Sequence, residues 1–193
     1  MTLAGGIIGE SLAPSPLLAT LPLTALVVGL AAAAMPVAVL IRRVERRTAF
    51  VIGAAVSAAG ALVAALATTV GSFGMFCAAT FVMGAAAACV QQYRFAAAES
   101  VDARHTGRAV SFVLVGGIIA GVLGPEIGRL GRTWFGSEFS GAFVLVAIVQ
   151  VAAMALLSCL RIPAAPASTD RRAQTPYAAF FARKAFLLAV VGA

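Results

Sequence analysis

Residues 48–93 read TAFVIGAAVSAAGALVAALATTVGSFGMFCAATFVMGAAAACVQQY, a run of 46 without one charged side chain. As one helix rising about 1.5 Å per residue it would be roughly twice as long as a ~30 Å hydrocarbon core is thick. The run therefore has to double back. Thr68, Thr69, Val70, Gly71 and Ser72 form a cluster of turn-forming residues near its middle, where the reversal is expected. This predicts two antiparallel membrane spans, 48–67 and 73–93.

Composition points the same way. Of the 193 residues, 62% are hydrophobic and 11% charged, and mean hydropathy is +1.02. A soluble domain carries about a quarter charged residues. The chain lacks the polar surface that would cover a water-exposed core, so it is read as an all-α integral membrane protein.

Working outward from the central pair, residues 11–41 hold no charge, and 17–41 are long enough for a complete span. Residues 94–108 form a polar connection, 109–130 a fourth span and 139–160 a fifth. The bundle thus occupies 1–160. Residues 161–184 contain Pro163, Pro166 and Pro176 and suit a loop. The apolar stretches 1–9 and 185–193 are too short to cross a bilayer, and two readings of them are open. They are helices cut in the middle, which makes the chain a fragment of a longer one, or they are short interfacial segments. No Lys or Arg precedes the first apolar stretch, so it is not read as a signal peptide.

Basic residues give the orientation. Twelve of the fourteen fall in 42–47, 94–108 and 161–184, and only Arg129 and Arg132 lie on the other side. The positive-inside rule makes those three loops cytoplasmic. The net charge of +7 then reports topology and attraction to anionic headgroups, and nucleic acid is not expected as a partner.

The helix starting at Ala109 is the most informative. At about 100° per residue, Gly117, Gly121, Gly124 and Gly128 fall within a ~60° stripe. Such a face admits close approach of another helix. Pro125 lies within it and removes one helical hydrogen bond, so a hinge is expected there. Glu126 points about 180° from the stripe and either faces a cavity or the interface, or pairs with Arg129.

Chemistry-bearing constellations are missing. A membrane enzyme needs paired carboxylates, a Ser–His arrangement or a metal cluster within the membrane. The single histidine, His105, falls in the 94–108 connection, and Gln91 and Gln92 lie at a helix end where water satisfies them. Cys77, Cys89 and Cys159 are widely spaced in apolar runs, which suits buried free thiols rather than a disulfide, metal or redox pair. No enzymatic activity, cofactor or metal is expected.

Several segments resemble the major facilitator superfamily of secondary transporters. Gly124-Pro125-Glu126-Ile127-Gly128 is similar to the Gly-Pro-x-x-Gly core of its fifth-helix antiporter motif, with Ser111, Ala120 and Arg129 at the motif's other glycine positions. Residues 38–47 take the place of the family's loop between helices two and three. Arg43, Arg46 and Arg47 fit its basic positions, whereas Ala38, Arg42 and Glu45 stand for its Gly, Asp and Gly. Thr80, four residues before Gly84, stands where drug-exporting members have an arginine. Residues 93–99 (YRFAAAE), followed by Gly107-Arg108-Ala109, are similar to the helix-four to helix-five region of bacterial members.

The resemblance covers nearly the whole chain and carries specific implications. The fold would be the N-terminal six-helix half of such a transporter, with five complete spans and two partial ones. Residues 1–10 would end a truncated first helix, 161–184 would be the cytoplasmic central loop, and 185–193 would begin a truncated seventh helix. Two such halves enclose a substrate site near the midplane. The function implied is secondary active transport of a small solute by alternating access, with efflux or antiport suggested by the Gly-Pro motif. Arg42, Arg43, Arg46 and Arg47 would form a cytoplasmic gating loop, and Arg94, Glu99 and Asp102 would join it as a latch. A solvated loop is the plain alternative for the last three, and topology and lipid contact for the four arginines. Partners would be the solute, the lipid bilayer of a bacterial inner membrane, and the missing C-terminal half or a partner subunit. The competing expectation is an inactive fragment, or a structural or assembly subunit that transports nothing, which glycine faces would serve equally well.

Overall fold

The structure, a computed structural model, describes residues 12–102, 104–131 and 139–159. The expected end of helix one (1–10), the central loop (161–184) and the start of helix seven (185–193) lie outside the described residues. After a 3-10 turn at Pro16–Leu18 come α1 (Leu21–Arg43), α2 (Arg46–Val70), α3 (Phe73–Gln91), α4 (Tyr93–Glu99), α5 (Thr106–Leu130) and α6 (Ser140–Cys159). No strand occurs among the described residues. Five helices are long and apolar enough to cross a membrane.

The central reversal is tighter than its turn-forming cluster suggests. The hydroxyls of Thr68 and Thr69 donate back to the carbonyls of Ala65 (2.7 Å) and Leu66 (2.8 Å), so both threonines remain helical. Gly71 ends α2 in the left-handed conformation (φ 72°), which a glycine reaches without steric cost. The Ser72 amide then donates to the Ala67 carbonyl at 3.0 Å, while its hydroxyl accepts from the Met75 amide and caps α3.

The expected 94–108 connection is also largely helical. Tyr93–Glu99 forms α4, which continues the third span after a single break at Gln92, and Thr106 already lies in α5. Ala96 is buried, and the Tyr93 ring meets Phe50 edge-on with centroids 4.7 Å apart. These contacts fasten the added turn to α2. A short amphipathic segment flanked by charges carries too little periodicity to be recognised as a helix from sequence.

The packing places α2 at the centre, against α3 on one side and α6 on the other, with α1 on α3 and α5 against α4 and α6. Contacts between helices rest on small residues: Ala49, Ala54, Ala58, Ala61, Ala64, Ala65 and Ala67 of α2 are buried, as are Ala79, Ala86 and Ala88 of α3. Phe76 and Phe143 close one end of the core edge-to-face at 5.6 Å. Large apolar side chains point outward, among them Met35 (70% exposed), Phe112 (76%) and Leu156 (66%). That arrangement belongs to a chain surrounded by lipid, where only close packing and hydrogen bonds favour helix association. The protein is a multi-pass membrane protein.

Candidate functional site

The glycines that the packing requires are not the ones on α5. A Cβ at Gly29 of α1 would overlap the Phe81 carbonyl of α3, and one at Gly84 of α3 would overlap the Leu26 carbonyl of α1. The two backbones therefore touch. Gly53 and Gly60 of α2 leave room for Cys89 and Met83, which an added Cβ would approach to 2.7 Å and 2.9 Å. For Gly117, Gly121, Gly124 and Gly128 no described atom lies within 4 Å of an added Cβ. Gly117 and Gly121 are exposed, Gly124 and Gly128 are half-buried, and no described residue of α5 is buried. Pro125 sits in a helix that runs unbroken through it.

Near the far end of α5, Arg129 donates to Glu126 Oε2 from Nε (3.1 Å) and Nη2 (2.8 Å). Both side chains are more than half exposed, and a pair of this kind contributes about 0–1 kcal/mol.

At the opposite end the basic loop meets the ends of α4 and α6. Arg46 and Arg47 open α2 directly after its N-cap residue Glu45, which makes no side-chain capping hydrogen bond. Two cations at a helix N-terminus oppose the positive end of the macrodipole, each at a cost of about 0.3–1 kcal/mol. Glu99, the last residue of α4, has the converse mismatch at a C-terminus. The fold brings these misfits together: Arg46 Nη2 pairs with Glu99 Oε2, and Arg47 Nη2 donates to the Ser158 carbonyl in the last turn of α6. That turn has no basic residue of its own, so Arg47 supplies the cation that its carbonyls lack.

The remaining residues of the expected latch and loop are placed differently. Arg42 and Arg43 occupy the last turn of α1, a favourable place for cations, and are exposed without an ion pair among the described residues. Arg94 stacks on the Phe95 ring at 5.1 Å. The Asp102 carbonyl accepts from the His105 amide at 2.8 Å. Glu99, Asp102 and His105 line a shallow open depression with Ser100 and Val101.

Within the membrane, Thr80 is buried and donates to the Cys77 carbonyl of its own helix at 2.9 Å, so it needs no partner elsewhere. Gln150 of α6 donates to the Ser57 hydroxyl of α2. Sequence reasoning passed over this pair, although an amide inside span 139–160 was a usable signal, because polar groups in lipid need partners. All three cysteines are free, but they are not uniformly buried: Cys89 is buried, Cys77 partly so, and Cys159 exposed at the end of α6. Among the described residues no cluster of His, Cys, Asp or Glu suits a metal ion.

A five-span α-bundle built on small-residue contacts, with a basic loop tied to the ends of neighbouring helices, defines a class of membrane protein. The sequence profile of the Major Facilitator Superfamily matches residues 1–193, and the chain belongs to that family. It is 38% identical over 160 residues to the riboflavin transporter RfnT of Brucella anthropi, an alignment covering 82% of this chain and 40% of the relative. The chain thus spans about two fifths of the length of the curated relative it matches. No solved structure matches it.

Proposed function

We propose that the chain forms the N-terminal helical part of a secondary transporter that carries a flavin, riboflavin or a close analogue, by alternating access. The observation that carries this reading is membership of the Major Facilitator Superfamily together with 38% identity to a riboflavin transporter. The flavin specificity comes from that relative alone. Alternating access is supported by the Arg46–Glu99 ion pair, which joins groups 53 residues apart at one end of the bundle and acts as a latch that opens and closes. Positive-inside asymmetry supports a cytoplasmic position for this end, in the reading that the membrane is a bacterial inner membrane. The Gly124-Pro125 segment of α5 supports outward movement of the solute, since Pro125 removes one helical hydrogen bond where a bend would fall.

Proteoliposomes containing the whole transporter of which this chain is proposed to be the N-terminal part, loaded with riboflavin on one side and tracer flavin on the other, test the reading. Flavin counterflow is expected. Absence of any flavin exchange would remove the solute assignment. Gly124→Leu and Gly128→Leu are expected to block exchange while insertion is preserved; undiminished exchange in both variants removes the hinge.

A further inference from the structure

No described residue of α5 is buried, yet Gly131, the residue that follows its end, is. A Cβ on Gly131 would fall 2.2 Å from the Ala142 amide nitrogen and 2.6 Å from the Gly141 carbonyl carbon, so the end of α5 rests on the backbone of the first turn of α6. Gly131 has φ −78°, an ordinary value, and what requires glycine there is space rather than conformation. Backbone cannot yield as the far end of a side chain can, so this contact is only as well placed as the first turn of α6 itself.

That turn starts from an unusual residue. Phe139, directly before α6, has φ 71°, in the left-handed region that a bulky side chain enters only at a cost. A residue at the start of a helix ordinarily has an extended backbone and a polar side chain, and Phe139 has neither. Two features hold it there. Its ring is buried in a cluster with Ala64, Ala65 and Ala67 of α2 and with Phe76 and Phe143. Its carbonyl accepts from the amides of Ala142 (3.1 Å) and Phe143 (3.4 Å). The strained residue and the end of α5 therefore meet at one group, the Gly141–Ala142 peptide.

We infer that Phe139 is a positioning residue for α5. Its ring, fixed in the core, holds its own backbone left-handed; that backbone sets the first turn of α6; and that turn fixes where α5 ends, on the side of the bundle opposite the basic loop. The inference does not depend on which solute is carried, and its test uses none.

The test is made in the whole transporter of which this chain is proposed to be the N-terminal part, with its native cysteines replaced. Nitroxides on Val70→Cys and Leu130→Cys, both exposed and at the ends of α2 and α5, report the separation of those ends in proteoliposomes by dipolar electron paramagnetic resonance. The parent is expected to give one narrow distance distribution, and Gly131→Leu should displace it. Phe139→Ala loses the ring but keeps the Cβ that makes the left-handed region costly, and should broaden the distribution. Phe139→Gly loses the ring as well but reaches that region without steric cost, so it should keep the distribution narrow and unfold in detergent at a higher temperature than Phe139→Ala. A ring that merely fills the core gives the opposite order, because glycine then costs more chain entropy than alanine. An unmoved distribution in Gly131→Leu overturns the backbone contact. An unmoved distribution in Phe139→Ala, equal broadening in both Phe139 variants, or Phe139→Ala unfolding above Phe139→Gly overturns the positioning role.

Discussion

At Gly84, one hydrogen in place of a methyl group decides whether α1 and α3 can meet, because a Cβ there would overlap the Leu26 carbonyl and rigid backbone cannot yield as a side chain can. Gly84→Leu is therefore expected to destabilise the bundle by at least the ~1–3 kcal/mol typical of overpacking. Gly117→Ala, with no described atom in reach, should not destabilise the protein and gains up to about 1 kcal/mol from helix propensity. Thermal unfolding in detergent distinguishes the two, and a Gly84→Leu protein as stable as the parent would contradict the close α1–α3 contact. The Gln150–Ser57 hydrogen bond is the other residue-scale feature. Interhelical hydrogen bonds in membranes are worth roughly 0.6–1.7 kcal/mol. A double-mutant cycle with Gln150→Leu and Ser57→Ala should return a coupling of about that size, and additive effects would show that the contact contributes nothing.

At the scale of the element, α5 stands apart. It is long and apolar, with a proline in its last third, and none of its residues is buried among those described. Pro125 has no amide hydrogen to donate to the Gly121 carbonyl, a local defect of about 3 kcal/mol relative to alanine in an ordinary helix interior. Pro125→Ala is expected to raise the unfolding temperature and to slow flavin exchange, because a helix that gains a hydrogen bond bends less readily. Faster exchange, or a lower unfolding temperature, would contradict a hinge at this position. The elements also show where local signals mislead. Thr68 and Thr69 are turn formers by type, yet each satisfies its hydroxyl on its own helix, so the reversal falls at Gly71, where a left-handed backbone is needed. Residues 93–99 carry charges that suggest a loop, yet burial of Ala96 and the Tyr93–Phe50 contact keep them helical.

For the whole molecule, the magnitude of the Arg46–Glu99 contact matters more than its existence. The Glu99 side chain is 43% exposed but that of Arg46 only 12%, so the pair is half open to solvent, and the ~0–1 kcal/mol of exposed ion pairs is a lower bound for it. The pair opens to solvent from the Glu99 side, which is what the proposed latch requires. Arg46→Glu and Glu99→Arg should each slow flavin exchange, and the charge-swapped double variant should recover much of the rate. A double variant no better than either single one would show that the side chains act separately.

Hydropathy and charge spacing by themselves determined that this is a membrane protein with five spanning helices and a strongly basic end, because the bilayer imposes a fixed length and a fixed penalty on charge whatever the helices later touch. The resemblance to the major facilitator superfamily was equally legible in Gly124, Pro125, Gly128 and the arginines of 42–47. Tertiary structure alone decided the partners. Which glycines carry backbone contact, that Arg47 reaches Ser158, and that Gln150 finds Ser57 all depend on the rotation and register of helices distant in sequence. Those quantities are set by shape complementarity between small-residue faces, and a face of glycines looks the same in sequence whether its partner is present or not.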